Sequence, residues 1–352
     1  MNTAGLMKYA GALVALAMCS ACGGALRQAQ DGMAVAPSNA LVTSGYTGYI
    51  GKTLLINGRP VTAARMNLSV RPRFASIVPD RLSRKKFEYI INVYGSYASI
   101  FDWPKSDQQI GTINNVGGQG CTNVLYGYGN NTFWIVAGPD QITEYHVTQK
   151  PLKTLSVTYT FPSSCAMNSS GDLAVGILYG TTTFGSGGEV VIFKNGSGSG
   201  TVYTTPLDEE FFDGYDNHGN LFADGFTGDR SGFALVELPK GSSKFKTITT
   251  SNAVNFPGSV QWDGKYLTVV DQLADALYQY TVSGSTATLK GTVKLTGAGD
   301  CAQTWIATGV VYCGDAGNDD GEVYKYPAGG SPIAVLTGNF DEPLGTVAAR
   351  RR

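Results

Sequence analysis

The sequence predicts an all-β fold, a six-bladed β-propeller closed by its C-terminal strand, and three observations carry that expectation. Of 352 residues, 46 are Gly, 11% are aromatic and only 15% are charged, against ~7% Gly and ~25% charged residues in an average soluble domain. Turn residues between β-rich runs recur with a long, steady period. No segment carries a 3.6-residue apolar stripe with caps, which excludes helical repeats and bundles. A net charge of −1 gives no electrostatic reason to bind nucleic acid. The two histidines, His146 and His218, leave no room for His-cluster chemistry.

The first 21 residues have the pattern of an export signal. Lys8 precedes an apolar run from Ala10 to Met18, too short for the ~20 residues that span a bilayer. The run ends in Met18-Cys19-Ser20-Ala21-Cys22-Gly23-Gly24. Small residues before a Cys resemble a bacterial lipobox, which implies that Cys22 is lipidated and becomes the mature N-terminus, although Cys19 stands where a lipobox prefers Leu. The alternative is cleavage after Ala21 and free secretion. Either outcome places the mature protein outside the cytoplasm, touching a membrane only through an N-terminal lipid anchor.

Residues 22–73 are polar and rich in small side chains, as expected of a mostly irregular tether. Within them, Leu54-Leu55-Ile56-Asn57-Gly58-Arg59-Pro60 predicts a small hairpin, because Asn-Gly favours a tight two-residue turn.

Residues 74–349 repeat. Gly171, Gly219, Gly264 and Gly309 follow one another at intervals of 48, 45 and 45 residues, each in a turn between two β-rich runs. Phe101, Tyr145, Phe193, Leu238, Tyr280 and Tyr326 close the third run of each repeat, at intervals of 44, 48, 45, 42 and 46. Four short strands joined by hairpins at this period make one propeller blade. A single blade cannot bury both faces, so blades stack and aromatics fill the spaces between them. Innermost strands are expected near Cys121, Cys165, Gly214, Ser259, Cys301 and Gly345. Residues 340–349 have no blade after them and are expected to close the first, removing an open edge. Residues 74–80 compete for the same slot. Residues 350–352 form a basic tail.

Outside the cytoplasm, Cys121, Cys165, Cys301 and Cys313 are expected in disulfides. Cys301 and Cys313 stand six residues either side of Ala307, which predicts that they face each other across a hairpin. Cys121 with Cys165 is the second pair, and Cys165 with Cys301 across the ring is the alternative.

Leu221-Phe222-Ala223-Asp224, Leu267-Thr268-Val269-Val270-Asp271 and Val311-Tyr312-Cys313-Gly314-Asp315 resemble the second strand of NHL-type propeller repeats. Glu342-Pro343-Leu344-Gly345-Thr346-Val347 resembles their first strand. The resemblance spans about residues 74–349 and implies a fold, with Asp224, Asp271 and Asp315 capping the loops that follow them. The whole chain also looks like a group of exported bacterial propeller lipoproteins. Phe212-Asp213-Gly214-Tyr215-Asp216-Asn217-His218-Gly219-Asn220-Leu221-Phe222 is similar to a segment of the senescence-marker-protein/gluconolactonase family. Those six-bladed propellers hold one divalent cation in the channel and hydrolyse lactones. The resemblance implies Asp213 as metal ligand and base and Glu342 as a second ligand, with Ca²⁺ or another divalent cation as cofactor. The family's two Asn ligands are missing, because Gly120-Cys121 and Ser164-Cys165 stand at the matching strand starts.

Two functions follow from different classes. One is a monomeric, non-enzymatic binding or scaffold module, holding an unknown protein or small molecule at a face lined by Asp216, Gln261, Trp262, Asp300, Gln303 and Trp305. The other is a metal-dependent lactone hydrolase built on Asp213 and Glu342. They differ in whether the channel brings several oxygen ligands to one point.

Overall fold

The computed structural model describes residues 86–92, 96–137, 140–157, 162–178, 187–227 and 232–351, together with the backbone of a hairpin at 54–56 and 59–61. That hairpin joins β1 (Leu54–Ile56) to β2 (Arg59–Val61), with Ile56 opposite Arg59, as the Asn-Gly signal predicts. The signal segment, Cys22 and residues 74–80 lie outside the described residues.

From Lys86 onward the regular secondary structure of the described residues is almost entirely strand. A first sheet contains β3 (Lys86–Asn92), β4 (Tyr97–Phe101) and β5 (Gly111–Asn114). Then come β6 (Gly120–Thr122), the short β7 (Gly129–Asn130), β8 (Thr132–Val136), β9 (Gln141–His146) and β10 (Pro151–Ser156), of which β6, β8, β9 and β10 form a four-stranded sheet. The meander β11 (Pro162–Met167), β12 (Leu173–Ile177), β13 (Glu189–Phe193) and β14 (Thr201–Thr204) follows. Next are β15 (Glu209–Tyr215), β16 (Leu221–Thr227), β17 (Gly232–Leu238) and β18 (Lys246–Thr250), then β19 (Pro257–Trp262), β20 (Leu267–Asp271), β21 (Ala276–Ser283) and β22 (Thr286–Lys294). These two meanders merge into one eight-stranded sheet through a short parallel pairing of β18 with β22, Thr249 to Thr286 and Thr250 to Ala287. The meander β23 (Cys301–Ala307), β24 (Val310–Asp315), β25 (Asp320–Lys325) and β26 (Ala334–Leu336) precedes the last strand, β27 (Pro343–Arg350).

β27 returns to the first sheet. It pairs antiparallel with β3, from Pro343 opposite Asn92 to Arg350 opposite Lys86, and its other edge meets β7. The C-terminal strand therefore fills the slot expected of it, and Arg350 belongs to the strand rather than to a tail. The first strands of successive meanders touch in a closed circuit, β6 to β11, β15, β19, β23, β27 and back to β6. Ser259 meets Thr304 and Gln261 meets Ile306, so β19 and β23 run in the same direction. We call the end where the first strands begin the upper end. The arrangement is propeller-like, with first strands around a channel and later strands outside.

Apolar side chains fill the spaces between neighbouring meanders, because each sheet is covered on both faces. Trp134, Val136 and Ile142 meet Cys165, Leu173 and Val175 in one such cluster. Phe211 and Phe226 meet Phe256 edge-on in another. Of the aromatics that mark the repeat, Phe101 and Phe193 end their third strands, whereas Tyr280 lies within β21; Phe101 and Tyr280 are fully buried.

Both expected disulfides form, Cys121–Cys165 with Cα atoms 5.7 Å apart and Cys301–Cys313 at 5.5 Å. The expected register of the second is wrong. The hairpin turns at Thr308-Gly309, with Ala307 opposite Val310, so Cys313 lies opposite Thr304 and Cys301 opposite Asp315. A β-bulge between Cys301 and Thr304 lets the sulfurs meet diagonally. Similar register shifts occur near the upper end of β11, β15, β19 and β27. Such bulges bend a strand and increase its twist.

Removing residues 341–352 should expose the paired edges of β3 and β7 and uncover the buried cluster of Tyr89, Ile90, Ile91 and Phe133 that Val347, Ala348 and Ala349 help to cover. The truncated protein is expected to aggregate and to lose its cooperative thermal transition. A soluble, monomeric, cooperatively melting truncation would contradict the closure.

Candidate functional site

Apart from the short pairing of β27 with β7, the channel edges of the first strands have no further strand to pair with, and a buried backbone N–H or C=O must find a partner. Side chains supply the partners. Gln303 on β23 donates from Nε2 to Gly120 O at 2.8 Å, while its Oε1 accepts from Gly120 N at 3.2 Å and Thr346 N at 2.9 Å. One amide thus ties β23, β27 and β6. Gln261 on β19 accepts from Ile306 N at 2.8 Å and donates to Leu125 O at 3.1 Å. Ser259 Oγ accepts from Thr304 N at 3.0 Å, and the Trp305 indole donates to Gly127 O at 2.7 Å. The Cys121–Cys165 bridge joins β6 to β11, and Ser164 Oγ donates to Asp213 at 3.1 Å, joining β11 to β15. Between β15 and β19 the backbones approach so closely that a Cβ on Gly214 would sit 2.3 Å from Val260 O; only glycine fits there.

What remains of the channel is a cavity with an empty volume of about 420 Å³, including space open to solvent. Its apolar wall includes Leu125, Met167, Tyr215, Val260, Trp262 and Trp305, and its polar liners include Asp213, Gln119, Gln261 and Gln303. Leu125 and Trp262 are partly exposed.

Asp213 is 5% exposed. Burial pushes its carboxyl up to about 7, while Ser164, Glu210 and the Gly176 amide hold it down. Glu210, fully buried beside it, is raised further, first by burial and then by the Asp213 charge, and it accepts from Ser163 Oγ at 2.9 Å. The Glu210 carboxyl occupies a niche that a Cβ on Gly176 would fill, 2.1 Å from Oε2. The two carboxyls form a buried acid pair whose titrations are linked, both raised chiefly by burial. Asp213 Oδ1 has no hydrogen-bond partner among the described residues.

The other sequence-predicted residues are scattered. Glu342, with φ 54°, precedes β27; its backbone N–H donates to Asp319 Oδ1 at 3.1 Å, and its charge acts on Asp300 rather than on Asp213. Glu342 does not line the cavity. Asp300 lies at the upper end, just before β23, where burial first and the Asp315, Asp275 and Glu342 charges next push it to about 8. Asp216 is in the β15–β16 turn at the opposite end, accepting from His218 N at 2.9 Å and Asn220 N at 2.8 Å. Gln261, Gln303 and Trp305 are the channel ties described above, and only Trp262 of the six presents a partly exposed side chain. Gln261, Trp262, Gln303 and Trp305 line the cavity together, whereas Asp216 and Asp300 lie away from it.

Asp271 and Asp315 cap as the NHL-type resemblance implies, Asp271 accepting from Ala274 N and Asn255 N, Asp315 from Gly299, Asp300, Gly317 and Asn318 N–H groups. Asp224 does not. It lies opposite Phe212, within the strand, whereas Asp271 and Asp315 end theirs, and a shift of one residue along a strand turns a side chain to the other face. Asp224 is fully buried, and burial raises its carboxyl well above the ordinary range against the opposing pull of the Gly258 and Phe212 amides.

The donor set does not suit Ca²⁺, which takes six or more oxygens. Near Asp213 the positions of the family's Asn ligands hold Ser164, already bonded to Asp213, and backbone next to a disulfide. A second cluster, Cys301, Cys313, Asp315 and Glu322, has ligand atoms within 4.8 Å of one another, but its sulfurs are joined and offer no thiolate. Sequence reasoning missed Gln119 and Glu210, for which no motif exists; the only trace was the paired Glu209-Glu210 ahead of Asp213.

No family model and no curated protein matches the chain. Among solved structures, a chain from a nidogen/laminin complex is similar, with a TM-score of 0.58 at 10% identity, covering 75% of this chain and 98% of that one. A protein of unknown function from Bacteroides caccae has a TM-score of 0.55 at 10% identity, covering 75% and 99%. The likeness is one of fold: the chain is a β-propeller.

Asp213, Glu210 and Asp224 titrate higher folded than unfolded. The folded state then keeps protons that the unfolded chain has released, so stability is full at low pH and is lost as pH rises through about 7 for Asp213. Asp224→Asn should raise the melting temperature at pH 8, by the equivalent of roughly 1–3 kcal/mol, and by less at pH 5, part-way down to the ordinary carboxylate range. An equal effect at both pH values would contradict the assignment.

Proposed function

We propose that the chain is a six-bladed β-propeller working outside the cytoplasm as a binding module, tethered to a membrane through lipidated Cys22. The blade count is supported by the weak junction in the eight-stranded sheet. Only two residue pairs join β18 to β22, and each side is a complete four-stranded meander of the predicted period. With β27 as the first strand of the first sheet, every meander then has four principal strands. Export is supported by the signal pattern and by the two disulfides, which persist in oxidising compartments. No helix among the described residues is long and apolar enough to cross a membrane.

The observation that carries the binding reading is how the channel's polar side chains are used. Gln261, Gln303, Ser259 and Trp305 brace the inner strands, and Glu342 belongs to a different part of the upper end. The cavity is lined by one carboxylate residue, Asp213, which falls short of the multidentate metal site a lactone hydrolase of the gluconolactonase kind requires.

A ligand that binds only the native state raises its melting temperature. Added Ca²⁺ is expected to leave the melting temperature unchanged at neutral pH. A rise with Ca²⁺ that disappears in Asp213→Ala, together with lactone hydrolysis, would replace the binding module with the hydrolase.

A further inference from the structure

We propose that the lower end of the propeller, the end at which the first and third strands finish, lies against an anionic lipid surface. This rests on the tethered binding-module reading and adds a second membrane contact to the lipid anchor.

The inference comes from how charge is divided between the two ends. Each meander places an exposed cation at its lower end: Lys86, Lys150, Lys194, Lys240, Lys265 and Lys325. Their neighbours fix the placement. Lys86 lies opposite Arg350, the exposed last residue of β27, and Lys325 lies opposite Val310, just past the Thr308-Gly309 turn. Lys194 Nζ is 3.5 Å from Asp172 in the β11–β12 turn, and Lys240 N donates to Asn220 Oδ1 in the β15–β16 turn. Lys150 and Lys265 sit in the β9–β10 and β19–β20 turns. The acids of these turns point inward. Asp102 and Asp216 are buried, while Asp172 and Asp263 are partly buried and accept from backbone N–H groups, of Asn195 for the first and of Lys265 and Tyr266 for the second. Among the described residues Asp107 is the exception and is exposed. The upper end has the opposite sign. Asp140 and Asp319 are exposed there, just before third strands, and Asp208, Asp341 and Glu342 are partly exposed just before first strands. The exposed Lys294 lies 3.6 Å from Asp275 at that end.

That pattern suits a plane. The cations stand on every meander instead of lining one groove, so they meet a flat negative surface together, and each adds its own attraction. Tyr126, 46% exposed, and the partly exposed Trp103 and Trp262 lie at the same end. Such rings favour the headgroup region of a bilayer. The covalent path agrees. The first sheet receives the chain at this end, at Lys86, and residues 51–85 before it carry eight Lys or Arg against one acid, Asp80. That basic stretch joins the ring to Cys22, and an acyl chain combined with a basic surface holds a membrane more firmly than either alone. Docked in this way, the ring turns its acidic upper end away from the bilayer.

The test is co-sedimentation of the mature chain, residues 22–352, with lipid vesicles, using Cys22→Ser so that no acyl chain masks the contact. Phosphatidylcholine vesicles containing about one-third phosphatidylglycerol should bind it at low ionic strength and release it at ~0.5 M salt. Pure phosphatidylcholine vesicles should bind at least about tenfold less. Lys194→Glu, Lys240→Glu and Lys265→Glu combined should weaken binding to the anionic vesicles at least about tenfold, with an unchanged melting temperature. Lys290→Glu, the same exchange at an exposed position within β22, should leave binding unaltered. Should the triple variant fail to fold, each single exchange is compared with Lys290→Glu and should weaken binding about two- to fivefold. Equal binding to neutral vesicles, a folded triple variant that binds as well as the parent, or an equal loss with Lys290→Glu would each overturn the proposal. So would retention on heparin without binding to the anionic vesicles, which would make the partner a soluble polyanion. An N-terminal peptide without an acyl group, in protein recovered from the exporting cells, would instead overturn the tether and leave the vesicle result standing.

Discussion

The inner edges of the first strands set the terms for the rest of this protein. A ring of strands around a channel leaves a line of peptide groups facing inward, with neither a further strand nor free water to satisfy them. The chain answers with side chains from the neighbouring strand. The Gln303 amide lies against Gly120 as a peptide would, donating to its carbonyl and accepting from its N–H, and it also takes the Thr346 N–H. Gln261 does the same for Ile306, with a longer bond to its carbonyl at 3.4 Å. A glutamine is suited to this because its head group carries both an acceptor and a donor. The closing strand β27 is thus held on both sides, by the β3 ladder and by Gln303.

This constraint also explains why the channel is so little available for chemistry. Bracing uses the long polar side chains that would otherwise converge on a metal or a substrate. The region of β11 and β15 is the exception. There the disulfide and the Ser164 hydroxyl join the strands, and two acids are buried against each other with serine donors on one side only.

The repeat was legible because it rests on local chemistry. Glycine in the turns and aromatics at the ends of third strands are dictated within a few residues of themselves, so Phe101 and Phe193 fell where their spacing put them, while β21 runs three residues past Tyr280. The closing strand was legible from its likeness to a first strand with no blade behind it. Both disulfides could be paired, yet the Cys301–Cys313 register was missed, since neither the turn at Thr308-Gly309 nor the bulge after Cys301 is marked by residue type. Asp224 was misread for the related reason that one residue of slip sends a side chain to the other face. Gln261, Gln303 and Trp305 were picked out as a binding face, and their true partners, Ile306, Gly120 and Gly127, are 45, 183 and 178 residues away. Nothing in the local sequence states that distance. Asp213 was legible from a resemblance; Glu210 and Gln119 became visible only through the packing around them.

Amide hydrogen exchange on Gln303→Leu tests the bracing most directly. The substitution keeps a side chain of similar bulk and removes both hydrogen-bonding ends. The account predicts that the Gly120 and Thr346 amides lose protection selectively, while amides inside the outer β21–β22 ladder keep theirs, and that stability falls by roughly 1–3 kcal/mol as buried peptide groups lose their partners. Unchanged protection at Gly120 and Thr346 in a protein of unaltered stability would contradict it.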